Sequence, residues 1–166
     1  MNIVFDFGGV LFDWQPARLM RELLPNRARD HAAAERLVRD FFQGYGGDWA
    51  AFDRGTTTQE ALAQRIGSRL GWPLDEVNAV ISAVPAALTP RPAMVALLDA
   101  LHHRGWPLYF LSNMPASYAD HLDRTHDFLG RFRGGVYSSR SGLIKPEPEI
   151  YALTSRRFAL ELHRIA

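Results

Sequence analysis

Three short apolar runs in this chain are each followed by polar side chains that could do chemistry. Asp6 follows Ile3-Val4-Phe5, Ser112 and Asn113 follow Leu108-Tyr109-Phe110-Leu111, and Lys145 comes a few residues after Val136-Tyr137-Ser138. Asp6 offers a bare carboxylate, which suits a nucleophile or a metal ligand. Gly8 and Gly9 stand just behind it, where they let the backbone turn sharply and bring its N–H groups close to an anion. A Ser hydroxyl with neighbouring N–H groups can bind phosphate oxygens, and an ammonium can neutralise charge that develops on them. The set as a whole suits phosphoryl transfer through an aspartyl phosphate. Lys145 is the only lysine among 166 residues, and arginine supplies the other positive side chains.

For these residues to meet, the apolar runs must be strands that lie parallel, with their carboxyl ends on one rim, where open α/β sheets bind ligands. The intervening sequence supports that arrangement. Helical spacing predicts helices over 16–24, 29–42, 58–70 and 74–84, the last closing at Pro85. From residue 90 the pattern changes. A helix over 92–104, with Met94, Leu97, Leu98 and Leu101 on one face, precedes a strand over 107–111. A helix over 116–125, a strand over 135–138 and a final helix over 147–160 follow. This is an α/β pattern, a βαβ core over 1–14 and 90–166 interrupted by a helical insert over 15–89.

Composition narrows the classes. Nineteen basic and eighteen acidic side chains leave a net charge of +1, which gives no reason to expect nucleic acid or an anionic membrane as partner. The absence of cysteine excludes disulfides and thiolate metal sites and fits a cytoplasmic protein. No basic region precedes the first apolar run, which Asp6 interrupts, so it does not read as a secretory signal. No apolar stretch reaches the length of a membrane span. The six histidines are scattered on helices and form no zinc set.

The arrangement resembles the haloacid dehalogenase superfamily of hydrolases over essentially the whole chain. The family's first motif is similar to Phe5-Asp6-Phe7-Gly8-Gly9-Val10-Leu11, its second to Leu111-Ser112-Asn113, and its third to Gly142-Leu143-Ile144-Lys145-Pro146-Glu147-Pro148-Glu149-Ile150-Tyr151. The helical insert looks like the cap of subfamily I. Within it, Trp49 to Thr56 resembles the cap of sugar-phosphatase-like and epoxide-hydrolase-like members. The resemblance implies a Rossmann-like parallel sheet, with Asp6 as nucleophile and Mg2+ ligand and the Gly8 carbonyl as a second ligand. It implies that Ser112 binds the phosphoryl group with Asn113 alongside, and that Lys145 bridges nucleophile and phosphate. Trp14 and Trp49 are the expected pocket contacts. Phe41, Phe42, Tyr45, Phe52 and Trp72 are expected mainly as cap core. Arg91 and Arg140 are candidates for touching an anionic substrate.

Two departures from the family pattern shape what to expect. Gly8 stands where most of the phosphatases carry a second Asp as general acid and base, with Asp13 as a conceivable substitute. The chain also stops at Ala166, about where a strand bearing the fourth motif's acidic pair should begin. The expectation is a chain truncated before that motif, with an incomplete Mg2+ site and an open edge on the first strand that invites self-association. The leading function is then a Mg2+-dependent phosphatase, a phosphoric monoester hydrolase acting on a small phosphorylated metabolite such as a sugar phosphate. The alternatives are a metal-independent 2-haloacid dehalogenase, against which Asp6-Phe7-Gly8-Gly9-Val10 argues, and a truncated non-catalytic member.

Overall fold

Parallel strands put their carboxyl ends on one side, and the strand pairing decides which residues share that side. The computed structural model describes residues 2–160. The chain runs β1 (Ile3–Phe5), β2 (Phe12–Asp13), α1 (Pro16–Leu23), α2 (His31–Phe42), α3 (Gly47–Arg54), α4 (Gln59–Leu70), α5 (Leu74–Ala87), β3 (Thr89–Pro90), α6 (Pro92–His103), β4 (Leu108–Ser112), α7 (Ala116–Thr125), β5 (Gly134–Tyr137) and α8 (Pro148–Phe158). The sheet has the order β1-β4-β5, all parallel, with Phe5 opposite Phe110 and Ser112 opposite Tyr137. The fold is therefore α/β with a parallel core sheet. Among the described residues β1 pairs on one side only. Residues 161–166, where the fourth-motif strand was expected to begin, lie outside the described residues.

Side chains alternate across the sheet, as the two-residue period of a strand requires. Val4, Leu111 and Val136 pack with Ile150, Leu153 and Phe158 of α8 on one face. On the other, Phe7, Phe110, Phe132 and Tyr137 form a ring cluster, with the Phe110 and Tyr137 centroids 4.6 Å apart. Two glycines of β5 allow this. A Cβ on Gly135 would lie 2.3 Å from the Phe110 ring, and one on Gly134 would lie 2.6 Å from the Phe158 ring. Each bare Cα is a place where an aromatic ring lies against the strand.

The insert contains a helix that the sequence pattern missed. Asp30 and Thr58 cap α2 and α4, accepting from the Ala33 and Ala61 N–H groups at 2.7 and 3.2 Å. Between them, α3 spans a stretch read as a connection after Gly44-Tyr45-Gly46-Gly47. Its C-cap is Gly55 in the left-handed region at φ +81°, and a Cβ there would meet the Ser139 carbonyl oxygen at 2.7 Å. Phe41, Phe42, Trp49 and Phe52 are buried together, whereas Tyr45 is 43% exposed. The antiparallel pair β2–β3, too short to show alternation, ties the entry of the insert to its exit. Leu97, expected on the apolar face of α6, is exposed, while Leu98 is fully buried.

Helix α5 continues two residues past Pro85, where the sequence placed its end. Proline removes the N–H that would donate to the carbonyl four residues earlier, which is Ile81. The Tyr118 hydroxyl of α7 donates to that carbonyl instead, at 2.6 Å. This replaces the lost helical bond and joins the insert to the core. Tyr118→Phe leaves the buried carbonyl without its donor and should lower stability by about 1–3 kcal/mol, read from the urea midpoint. An unchanged midpoint would mean that the carbonyl needs no partner. No described helix is long and apolar enough to cross a membrane.

Candidate active site

Asp6 lies one residue beyond β1, Ser112 closes β4, and Lys145 follows the turn after β5, so the parallel register brings all three to one rim. They line a cleft of about 300 Å³ between the sheet's carboxyl end and the helical insert. Lys145 Nζ lies 2.7 Å from Asp6 Oδ2 and donates to the Leu111 carbonyl at 3.0 Å. The other Asp6 oxygen accepts the Phe7 N–H at 2.7 Å. The carboxylate is thus fixed at both oxygens, yet the Asp6 side chain remains 41% exposed at the cleft mouth.

Asn113 works differently from the expectation that it stands beside the phosphoryl group. Its amide Nδ2 donates to the Lys145 carbonyl at 3.0 Å, and its Oδ1 accepts the Lys145 N–H at 2.8 Å. This two-point clamp mimics a rung of a strand ladder and holds the lysine backbone. Asn113 lines the cleft, but its polar atoms are engaged in positioning Lys145. Ser112, 1% exposed, also lines the cleft.

Gly8 lines the cleft and Gly9 does not. Gly9, at φ +76°, turns the chain back on itself, and its N–H donates to the Phe12 carbonyl at 2.8 Å. The expectation that Gly9 meets an anion is therefore corrected: its donor closes the loop. Arg91 donates to the Gly9 carbonyl at 2.7 Å, and Arg140 pairs with Asp120 and Asp123. Neither arginine lines the cleft. Asp13 is turned away as well. It accepts from Gln15 at 2.5 Å and lines a separate groove with Arg18 and Glu22, so it is no substitute for the carboxyl missing at Gly8.

The remaining wall comes from both the insert and the core. Trp14 and Trp49 both line the cleft, joined by Tyr45, Val84, Leu88 and Tyr118. Trp14 Nε1 donates to the Tyr45 hydroxyl at 2.7 Å, and the Tyr118 hydroxyl is engaged by Ile81. The Trp14 N–H and the Tyr118 hydroxyl are used on the protein itself, so the wall presents mainly apolar faces. Burial pushes Tyr118 and Tyr45 above the usual phenol range.

Sequence reasoning missed Asp53. It stands in the last turn of α3, 5% exposed, and lines the same cleft as Asp6 and Lys145. Among the described residues, no hydrogen bond or ion pair satisfies its carboxyl. Burial raises it from 3.8 to about 7, against the opposing pull of the Lys145 cation. Its backbone is held firmly: Met114 N–H donates to Ser138 Oγ at 2.8 Å, and that hydroxyl donates to the Asp53 carbonyl at 2.5 Å. Next to it, Arg54 grips Glu147 through both guanidinium nitrogens and reaches the Gly142 carbonyl at 3.2 Å. The insert is thereby latched to the loop that carries Lys145. The available signal was the Gly55 C-cap after Trp49-Ala50-Ala51-Phe52, which marks a helix end beside a lone carboxylate.

For Mg2+, the described residues offer hard oxygens from Asp6 and the Gly8 carbonyl, and they hold no cluster of three or more His, Asp or Glu side chains. An octahedral ion asks for more than this. These residues therefore do not by themselves make a magnesium site.

Comparison with known proteins places this geometry in context. A sesquiterpene phosphatase of Aspergillus oryzae is 28% identical over 149 residues, covering 89% of this chain and 69% of that protein. A HAD family enzyme of Bacteroides thetaiotaomicron, solved with magnesium and inorganic phosphate, superposes with a TM-score of 0.73 at 18% identity, covering 99% of this chain and 81% of the other. The L-2-haloacid dehalogenase of Xanthobacter autotrophicus superposes with a TM-score of 0.69 at 19% identity, covering 99% and 67%. At those identities the two structures speak to the fold. The profile of the haloacid dehalogenase-like hydrolases matches residues 1–166, and the chain belongs to that family.

Proposed function

We propose that this chain is a phosphomonoester hydrolase that works through an aspartyl phosphate on Asp6. The observation that carries the reading is the Asp6–Lys145 pair, 2.7 Å apart, beside Ser112 on the rim of a cleft with a mainly apolar wall. An Asp6 oxygen attacks phosphorus, the Lys145 ammonium neutralises charge on the phosphoryl oxygens, and Ser112 holds one of them. That the Bacteroides enzyme was solved with magnesium and inorganic phosphate supports a phosphoryl group as the ligand, and Mg2+ as an activator to be tested.

The cleft favours an apolar organic group over the sugar expected from sequence. Sugar hydroxyls need hydrogen-bond partners, and burying them without such partners is costly. Trp14, Tyr45, Trp49 and Tyr118 offer ring faces instead, and the Trp14 N–H and the Tyr118 hydroxyl are already engaged on the protein. The Aspergillus relative's description as a sesquiterpene phosphatase agrees with an apolar phosphate ester.

A metal-independent dehalogenase is the second reading, favoured by one observation: the described residues give a metal ion so few ligands. One assay separates the two. Phosphate release from an isoprenoid monophosphate and from a sugar phosphate is measured beside halide release from 2-chloropropionate, each with Mg2+ and with EDTA. We expect phosphate release, faster for the isoprenoid ester and dependent on Mg2+. Halide release in EDTA without phosphate release would overturn the proposal.

A further inference from the structure

Cleaving a phosphate ester of an alcohol places negative charge on the leaving oxygen, and a proton must reach it. A hydrolase therefore needs a group that holds a proton at working pH, gives it up, and later takes one from water. Among the described residues lining the cleft, few can do this. Asp6 is the attacking group and Lys145 is paired to it. The Tyr118 hydroxyl is engaged by a buried carbonyl, and burial pushes the Tyr45 phenol further above working pH. No described histidine lines the cleft, Gly8 has no side chain, and Asp13 faces another groove.

Resting on the phosphatase reading, we infer that Asp53, carried by the insert rather than by the core sheet, is the general acid and base of this site. Its carboxyl is nearly buried, opens on the cleft, and has no partner among the described residues. Its backbone is set by the relay from Met114 N–H through Ser138 Oγ to the Asp53 carbonyl. That relay fixes α3 to the segment two residues beyond Ser112, at the phosphate end of the cleft. In the first step Asp6 forms its bond to phosphorus, the bond to the leaving oxygen breaks, and that oxygen takes the Asp53 proton. In the second step Asp53, now a carboxylate, takes a proton from water as the water oxygen attacks phosphorus. Phosphate leaves, and Asp6 and protonated Asp53 are restored.

The charge environment fits the role. Burial holds the carboxyl protonated up to about pH 7. Lys145, Tyr118 and Tyr45 are the titratable groups that face it, and only Lys145 pulls it toward ionisation. Because the first step needs the protonated form, kcat/KM for an alkyl phosphate should fall as pH rises through about 7.

The test uses the full chain and Asp53→Asn with two substrates, a primary alkyl phosphate and 2,4-dinitrophenyl phosphate, whose leaving group needs no proton. We expect the variant to lose about 10²- to 10⁴-fold on the alkyl ester and to lose the alkaline limb of its pH profile. On the dinitrophenyl ester it should give a burst of one equivalent and then stall, with the phosphoryl group trapped on Asp6 and visible by mass spectrometry. Asp53→Glu, which keeps the carboxyl, should turn over without a burst. Equal losses on both esters without a burst, or an alkaline limb that survives in Asp53→Asn, would overturn the assignment. So would a wild-type alkyl profile with no such limb, a reading that needs no variant to fold. If the wild type cleaves neither ester, the phosphatase reading falls and takes this assignment with it. If it cleaves both and Asp53→Asn matches it, Asp53 alone is wrong.

Discussion

Asp6→Asn should abolish turnover, with kcat falling at least about 10⁴-fold, because the substitution removes the nucleophile and leaves the site otherwise in place. A neutral amide oxygen is a poor nucleophile toward phosphorus and forms no acyl phosphate. The structural disturbance should be small. The amide oxygen can still accept the Phe7 N–H that Asp6 Oδ1 accepts at 2.7 Å. What is lost is the pair with Lys145, whose side chains are 41% and 20% exposed, and solvent-screened pairs of this kind contribute about 1 kcal/mol or less. The melting transition should therefore stay close to wild type while the rate collapses. Steady-state release of phosphate and the thermal melting midpoint measure the two parts, and mass analysis shows whether residue 6 carries a phosphoryl group. Full activity in Asp6→Asn would remove the carboxylate from the mechanism. Dehalogenation would also need Asp6, so this variant tests catalysis itself and leaves the choice of reaction to the metal and substrate assays.

The legible part of this protein was the part written in short range. A buried strand that stops at a carboxylate, Phe5-Asp6, reads directly because period and polarity change together. The same holds for Leu111-Ser112, and the rim that joins them follows from parallel pairing. The turn chemistry was less legible. Gly9 was expected to offer its N–H to an anion, but the turn it makes possible uses that donor on Phe12. The family resemblance put Asn113 alongside the phosphoryl group, and here both its amide atoms engage the Lys145 backbone. Pro85 reads as a helix end by local rules, and the missing donor is made good by Tyr118 from another part of the chain. The setting of Asp53 was hidden for a similar reason, although the Gly55 C-cap marks its helix. Nothing near it in sequence says that its side chain will be buried at the cleft, or that Arg54 will lock its helix against Glu147.

Lys145→Met should lower kcat/KM by about 10²- to 10³-fold, on the scale of losing one preorganised charge-stabilising donor. Methionine keeps an unbranched apolar stem and removes the ammonium that lies 2.7 Å from Asp6 and 3.0 Å from the Leu111 carbonyl. The loop should hold its place, because the Asn113 clamp grips the backbone of residue 145 and is indifferent to its side chain. Loss of rate with an unchanged fold is thus the expected pattern. Inorganic phosphate should also inhibit the variant more weakly, since the cation that attracts its oxygens is gone. Lys145→Arg should not restore the rate. A planar fork on a longer side chain cannot place one compact charge between a carboxylate and a carbonyl. The substitution reaches Asp53 as well. Lys145 is the group that pulls the buried carboxyl toward ionisation, so removing it should leave Asp53 protonated to higher pH. The alkaline limb for an alkyl phosphate should then move upward from about pH 7 in Lys145→Met. A limb that stays where it was, together with a near-normal rate, would show that the lysine stands apart from both carboxyl groups in the reaction.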